Sequence, residues 1–208
     1  MKLHYGTGSV LLVLLAQAAG PAPARAHPGN NLPAPVAHWS FEATTDGTVR
    51  SRTGPHTGRI RGDTSPAPGV IGRAIRLNGL GDYVTVPDHP DLRFADAAFT
   101  VTAWVNVYER SRGQQMIVAK NVYARNQRAW GLMVDADNRF RFYLRHNGWQ
   151  TVGSETIPVP GRWFHVAAVV SAGHGRLYVN GRLEGEADLG PSVPETEAPV
   201  TLGGVDNA

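Results

Sequence analysis

R-W-F-H-V-A-A-V-V-S-A-G-H-G-R-L-Y-V-N-G, residues 162–181, reads as two strands joined by a turn of small residues. Side chains alternate between the two faces of a strand. Trp163, His165, Ala167 and Val169 therefore share one face, and Phe164, Val166, Ala168 and Val170 the other. Both faces are mostly apolar, so the first strand is expected inside a sheet and covered on both sides. The two glycines in 171–175 supply the backbone freedom for a reversal. The return strand, 176–180, alternates Arg176, Tyr178 and Asn180 with Leu177 and Val179, and Asn180-Gly181 is a strong hairpin dipeptide.

Outward from this hairpin the same grammar continues. Residues 99–107, F-T-V-T-A-W-V-N-V, alternate strictly. Short strands are predicted at 36–42, 56–61, 116–120, 129–134, 139–144, 149–152 and 200–202, with a Pro/Gly loop at 63–69. Turns recur about every ten residues and no segment shows sustained helical periodicity, which predicts an all-β, two-sheet antiparallel sandwich.

The chain has 208 residues, no cysteine, 24 glycines and 15 prolines. Disulfides and thiolate metal sites are thereby excluded. The net charge of +3 includes Lys2 and Arg25; beyond residue 26 the balance is 18 basic to 17 acidic residues. No basic cluster is dense enough to follow phosphates, so nucleic acid is not an expected partner. Residues 10–19, V-L-L-V-L-L-A-Q-A-A, follow a basic start and precede Ala24-Arg25-Ala26. This is the pattern of a secretory signal peptide, residues 1–26, cleaved after Ala26. The run is too short for a stable membrane span. The expected product is secreted, extracellular or at the cell surface or periplasm, with a disordered lead-in at 27–35 and one domain from 36 to 208.

W-F-H-V-A with L-Y-V-N-G resembles the signature hairpin of LamG-like jelly rolls, in the concanavalin A-like lectin/glucanase superfamily. Three more stretches strengthen the likeness: Trp39-Ser40-Phe41-Glu42; G-R-A-I-R-L-N-G at 72–79 followed by D-Y-V-T-V at 82–86; and F-T-V-T-A-W-V at 99–105. The resemblance implies a jelly-roll sandwich. It also implies a last strand, returning beside the first, whose pattern is not found before Ala208. The sequence thus predicts a sandwich lacking its closing C-terminal strand, with unpaired backbone along 36–42. The native chain would then be longer, with room for another domain.

The resemblance further implies a calcium site, for which Glu42, Asp46 and Asp82 are the candidate oxygen ligands. Sugar faces stack on aromatic rings. Trp39, Trp104 and Trp163 fit core positions, so Trp149, after the Asn147-Gly148 turn, is the leading ligand-binding candidate. Tyr123, His146 and Arg145 join it, the arginine as a partner for acidic groups. Glu184, Glu186 and Asp188 alternate on one strand, an acid run similar to that of the family's glucanases but without the surrounding pattern.

These readings converge on a secreted, non-catalytic recognition module for a glycan or an extracellular protein, with calcium as a possible aid. The alternative is a polysaccharide hydrolase or lyase, in this domain or an attached one; for a lyase, Tyr143, His146 and Arg141 or Arg145 supply the residue types. A third class, a structural envelope module, would call for repeats that the chain lacks.

Overall fold

The computed structural model describes residues 34–94, 98–109 and 113–206, and the backbone of a strand at Val10–Ala19. Among them the only helical element is a single 3-10 turn at Pro90–Leu92. The strands are β1 (Val10–Ala19), β2 (Ala37–Trp39), β3 (Thr48–Arg50), β4 (Thr57–Arg61), β5 (Ser65–Pro68), β6 (Arg73–Arg76), β7 (Tyr83–Val86) and β8 (Ala98–Val107). They continue with β9 (Gln115–Val122), β10 (Gln127–Val134), β11 (Phe140–Arg145), β12 (Trp149–Gly153), β13 (Trp163–Ser171), β14 (His174–Val179), β15 (Arg182–Asp188) and β16 (Val200–Leu202).

They form two antiparallel sheets. The first runs β15-β14-β13-β8-β1-β6-β5, with β2 also on β1; the second runs β12-β11-β10-β9-β16-β7-β4-β3. The hairpin of 162–181 is β13–β14. Ala172 and Gly173 both have positive φ (50° and 78°), as do Asn180 and Gly181 (51° and 80°). Two consecutive left-handed residues make the two-residue turn whose twist suits a hairpin. β13 lies between β14 and β8. Its even face is buried, while Trp163, His165 and Val169 on the odd face are half-buried. Trp104 lies beside His165 on that face, with ring centroids 5.2 Å apart. The core tryptophans are therefore Trp39 and Trp130 (1% and 2% exposed), and not Trp104 or Trp163.

The core fills the space between the sheets. Phe94 and Phe99 stack at 4.7 Å against Trp130, and Phe140 meets Phe164 at 5.7 Å. The first predicted strand is cut short at Trp39, because buried Phe41 takes a positive φ of 58°. The loop expected at 63–69 contains β5, whose two prolines are tolerated because it is an edge strand.

The backbone beside β2 is occupied. β1 pairs with β2 over Leu14–Ala16, with β6 at Leu11 and Leu12, and with β8 along all ten residues. The segment read as the apolar core of a leader is thus an interior strand here. Ten residues without charge, Gly or Pro suit a strand covered on both sides, and a short apolar run carries no mark that separates the two roles. The cleavage point at Ala26 and the lead-in through residue 33 lie outside the described residues.

Candidate functional site

The outward face of the second sheet carries a depression over β9–β12. Residues 140, 142 and 144 of β11 point into the core, leaving Arg141, Tyr143 and Arg145 outside. Strand register then sets the site. Thr151, Tyr143, Gly131, Ala119 and Thr201 form one transverse row, and Gly153, Arg141, Met133 and Met116 the next. Gly131 is the floor. A Cβ there would stand 2.5 Å from the Cζ and Oη of Tyr143, so only glycine lets that ring lie across the sheet. Met116, Ala119, Met133 and Tyr143 make a small apolar cluster separate from the main core.

Aromatic rings wall one end. Trp149 stands perpendicular to Tyr143, with centroids 4.9 Å apart, and is 44% exposed. The Arg128 guanidinium lies 3.8 Å from the centroid of the Tyr123 ring, and Arg145 covers Trp149 at 5.4 Å. These are cation–π contacts, and they orient the rings. The other end is polar. Arg141 pairs with Asp135 and with Asp137 (2.9 Å), and Gln114 donates to Asp135 at 3.1 Å. Between the ends, Asn121 Nδ2 donates to Tyr143 Oη at 3.2 Å. The Asn121 Oδ1 atom is buried without a hydrogen-bond partner. Asn121 thus lines the depression beside two aromatic rings.

Of the ligand candidates read from sequence, Trp149 and Tyr123 line this depression. Arg145 flanks it and faces a neighbouring groove with Arg93 and Arg128. His146 is not among the lining residues; its ring packs under Gly190, where a Cβ would fall 2.3 Å from His146 Cδ2. Asn121, Asp135 and the two methionines were not singled out by the sequence reading. The signal for Asn121 and the methionines is the outward phase of β9 and β10, which only register makes visible; Asp135 sits in the turn after β10. The lyase-type set is also divided, since Tyr143 and Arg141 lie in the depression and His146 does not.

The three acids proposed for calcium do not converge. Asp82 is buried and accepts from the N–H groups of Asp63 (2.8 Å) and Asn78 (2.9 Å), pinning two loops. Glu42 accepts from the Arg73 N–H at 3.1 Å. Asp46 is exposed in the turn before β3. Calcium takes roughly six to eight oxygens, and these carboxylates form no group of three within ligand distance of one another among the described residues. The residues present do not fit one shared ion.

The acid run of β15 is likewise committed. The strand bulges where Leu177 pairs with Gly185 and Tyr178 with Leu183. Glu184, at the bulge, accepts from the N–H of Glu155 (3.1 Å) and Thr156 (2.8 Å) and from the Thr156 hydroxyl (2.7 Å). Glu186 and Asp188 pair with His174, and Glu186 also with Arg176. Hydrogen bonding to Asp188, ahead of that to Glu186, raises the His174 pKa.

The chain belongs to the concanavalin A-like lectin/glucanases superfamily: the laminin G-type model of that family matches residues 78–208. In fold it is similar to domain 4 of AbnA, a GH43 extracellular arabinanase from Geobacillus stearothermophilus, solved with arabinotriose (TM-score 0.63, 22% identity, 83% of this chain and 84% of that one). It is also similar to the botulinum neurotoxin serotype D binding domain (TM-score 0.56, 16% identity, 79% of this chain and 42% of that one). The binding domain of botulinum neurotoxin DC, solved with SialylT, gives TM-score 0.56 and 16% identity over 76% of this chain and 41% of that one. The chain thus spans about two fifths of the toxin binding domains it matches. No curated protein matches it in sequence.

Proposed function

We propose that this chain is an exported, non-catalytic recognition module that binds a glycan on the outward face of β9–β12. The observation that carries the reading is the exposed Trp149 indole, held perpendicular to Tyr143 at the wall of a depression that Tyr123 and Asn121 also line. A sugar presents hydroxyl groups on its rim and C–H groups on its faces, so one ring can pack on the indole while its rim meets the polar groups beside it. Tyr123 extends the apolar wall, and the Arg141–Asp135 end offers further polar groups. Arabinotriose on the arabinanase domain and SialylT on the toxin domain support a glycan as the ligand class. Extracellular settings fit the leader-like start, and among the described residues no helix is long and apolar enough to cross a membrane.

The test is retention of the protein on a panel of immobilised and insoluble polysaccharides, with wild type and Trp149→Ala compared. Retention on one glycan, weakened about tenfold or more (about 1.4 kcal/mol) by Trp149→Ala, is the expected result. A folded protein that no glycan retains would overturn the glycan reading and leave an extracellular protein as the ligand. Calcium is carried as a second arm. Retention lost on chelation and restored by Ca²⁺ alone would make binding calcium-dependent, and retention indifferent to Ca²⁺ removes calcium from the reading.

A further inference from the structure

We propose that His56, His89 and Asp91 form a binding site for one transition-metal dication, with Zn²⁺ as its probe. Among the described residues this is the one group of three ionisable side chains whose ligand atoms all lie within 4.8 Å of one another. Its elements come from opposite sides of a loop pair. His56 immediately precedes β4, while His89 and Asp91 open the 3-10 turn that follows β7. β4 and β7 are hydrogen-bonded neighbours, which brings the two loops together at one end of the sheet.

Three observations point to a ligand. First, the His56 side chain is only 2% exposed, and its Nε2 has no hydrogen-bond partner. A buried polar atom left unpaired is rare in a folded protein and calls for a group that satisfies it. Second, the spacing suits a metal. Asp91 Oδ2 lies 3.9 Å from His56 Nε2 and 3.3 Å from His89 Nδ1. Zinc–nitrogen and zinc–oxygen bonds of about 2.0–2.2 Å at tetrahedral angles place ligand atoms roughly 3.3–3.6 Å apart, so Asp91 and His89 already stand at that spacing and His56 has to close on them from within 4.8 Å. The two imidazoles meet edge to face, with centroids 5.0 Å apart. Third, the approach to Nε2 is kept clear. Gly54, at φ +66°, would with a Cβ come within 3.1 Å of that atom.

The donor set names the class of ion. Two imidazoles and a carboxylate favour Zn²⁺, Co²⁺, Ni²⁺ or Cu²⁺ over calcium or magnesium, which take oxygen. His89 Nδ1 also faces the Asp91 N–H at 3.3 Å, a long hydrogen bond that coordination would displace. Half-exposed Asp91 and His89 give the ion a path from solvent, and the fourth position is left to water. Such an ion would clamp the β3–β4 hairpin to the loop after β7.

The test uses the full chain, untagged and stripped of metal. Titration with Co²⁺ is expected to give one equivalent with the visible bands of a tetrahedral site, displaced by Zn²⁺ in competition with a chromophoric chelator. Zn²⁺ should raise the unfolding midpoint of the wild type. His89→Ala and Asp91→Ala, at accessible positions, should each weaken binding at least tenfold, because even outer partners of metal ligands are worth roughly 10–100-fold. His56→Ala should abolish it. His27→Ala and His174→Ala are controls that leave it unchanged. No uptake of one equivalent of either metal, or uptake that His89→Ala and Asp91→Ala leave intact, would overturn the site.

Discussion

Each sheet holds a strand inserted between partners remote in sequence, and the two insertions differ. In the first sheet β1, from the N-terminal end, runs ten residues between β8 and the pair β2 and β6. In the second, β16 inserts only Val200–Leu202 between β9 and β7. All three of its residues are buried, and the Thr201 hydroxyl donates to Gly204 O at 2.6 Å. The aromatic depression lies wholly on the second sheet, so the proposed binding face and the completion of the first sheet are separable.

The strongest way to break this comparison is to delete residues 1–26. A strand paired on both sides contributes about 0.5–1.5 kcal/mol net per hydrogen bond, and the total approaches the roughly 5–15 kcal/mol stability of a whole domain. We expect the shortened chain to lose more than about 10 °C in unfolding midpoint and to self-associate through the opened edge of β8. An unchanged midpoint would show that β1 is a passenger in the sheet. Cleavage at Ala26 and strand formation at 10–19 make opposite demands on the same residues, and the N-terminal mass of exported protein decides which demand is met.

A second break targets the tie between β9 and the loop after β7. Lys120 is 1% exposed, and its ammonium donates to Asp88 and to Ala198 O (2.7 Å). Asp88 also pairs with Arg93. Burial acts to raise the Asp88 pKa, but hydrogen bonds from Arg93 and Lys120 outweigh it and hold the carboxyl below its ordinary range. Asp88→Ala strands a buried cation, and denaturant unfolding should show a loss of about 3–5 kcal/mol. Lys120→Met with Asp88→Asn should cost far less, since an apolar replacement leaves no buried charge.

How far the sequence carried the reading follows from which residues interact locally. β8, β11 and the β13–β14 hairpin were legible because alternation and Asn180-Gly181 are short-range signals. Residues 10–19 have the same appearance in two roles, the apolar core of a leader and an interior strand. The site was half legible: Trp149 and Tyr123 declare themselves as aromatics beside turns. Asn121 and Gly131 gain their meaning only from register, as neighbours of Tyr143 across two strand pairs. His56 and His89, 33 positions apart, carry no spacing motif at all.

Gly131→Ala sharpens the comparison from the second sheet. Its Cβ would collide with the Tyr143 ring at 2.5 Å, and overpacking of this kind costs about 1–3 kcal/mol. Displacing that ring should also reduce glycan retention by at least as much as Trp149→Ala does. Retention unchanged in a folded Gly131→Ala protein would move the binding surface away from β10 and β11.

The smallest expected effect is the pH dependence of stability. His38, on β2, and His165, on β13, both belong to the first sheet, and burial lowers both pKa values, with Arg52 adding to the effect on His38. For a histidine lowered in the folded state, the unfolded chain binds more protons between the two values, so stability increases with pH there. The contribution is fully present above the unfolded value of 6.5 and declines as pH falls through it toward the folded value. His174, raised and exposed, works in the other direction: its contribution is present below 6.5 and is lost as pH rises through its folded value. Solvent screening keeps the His174 contribution small, so the net slope between pH 7.5 and 5.5 should follow half-buried His38 and His165 together with His56, whose pKa burial also lowers. Unfolding midpoints across that range should fall on acidification, and His165→Gln should flatten the fall while leaving any pH dependence of glycan retention on the second sheet untouched.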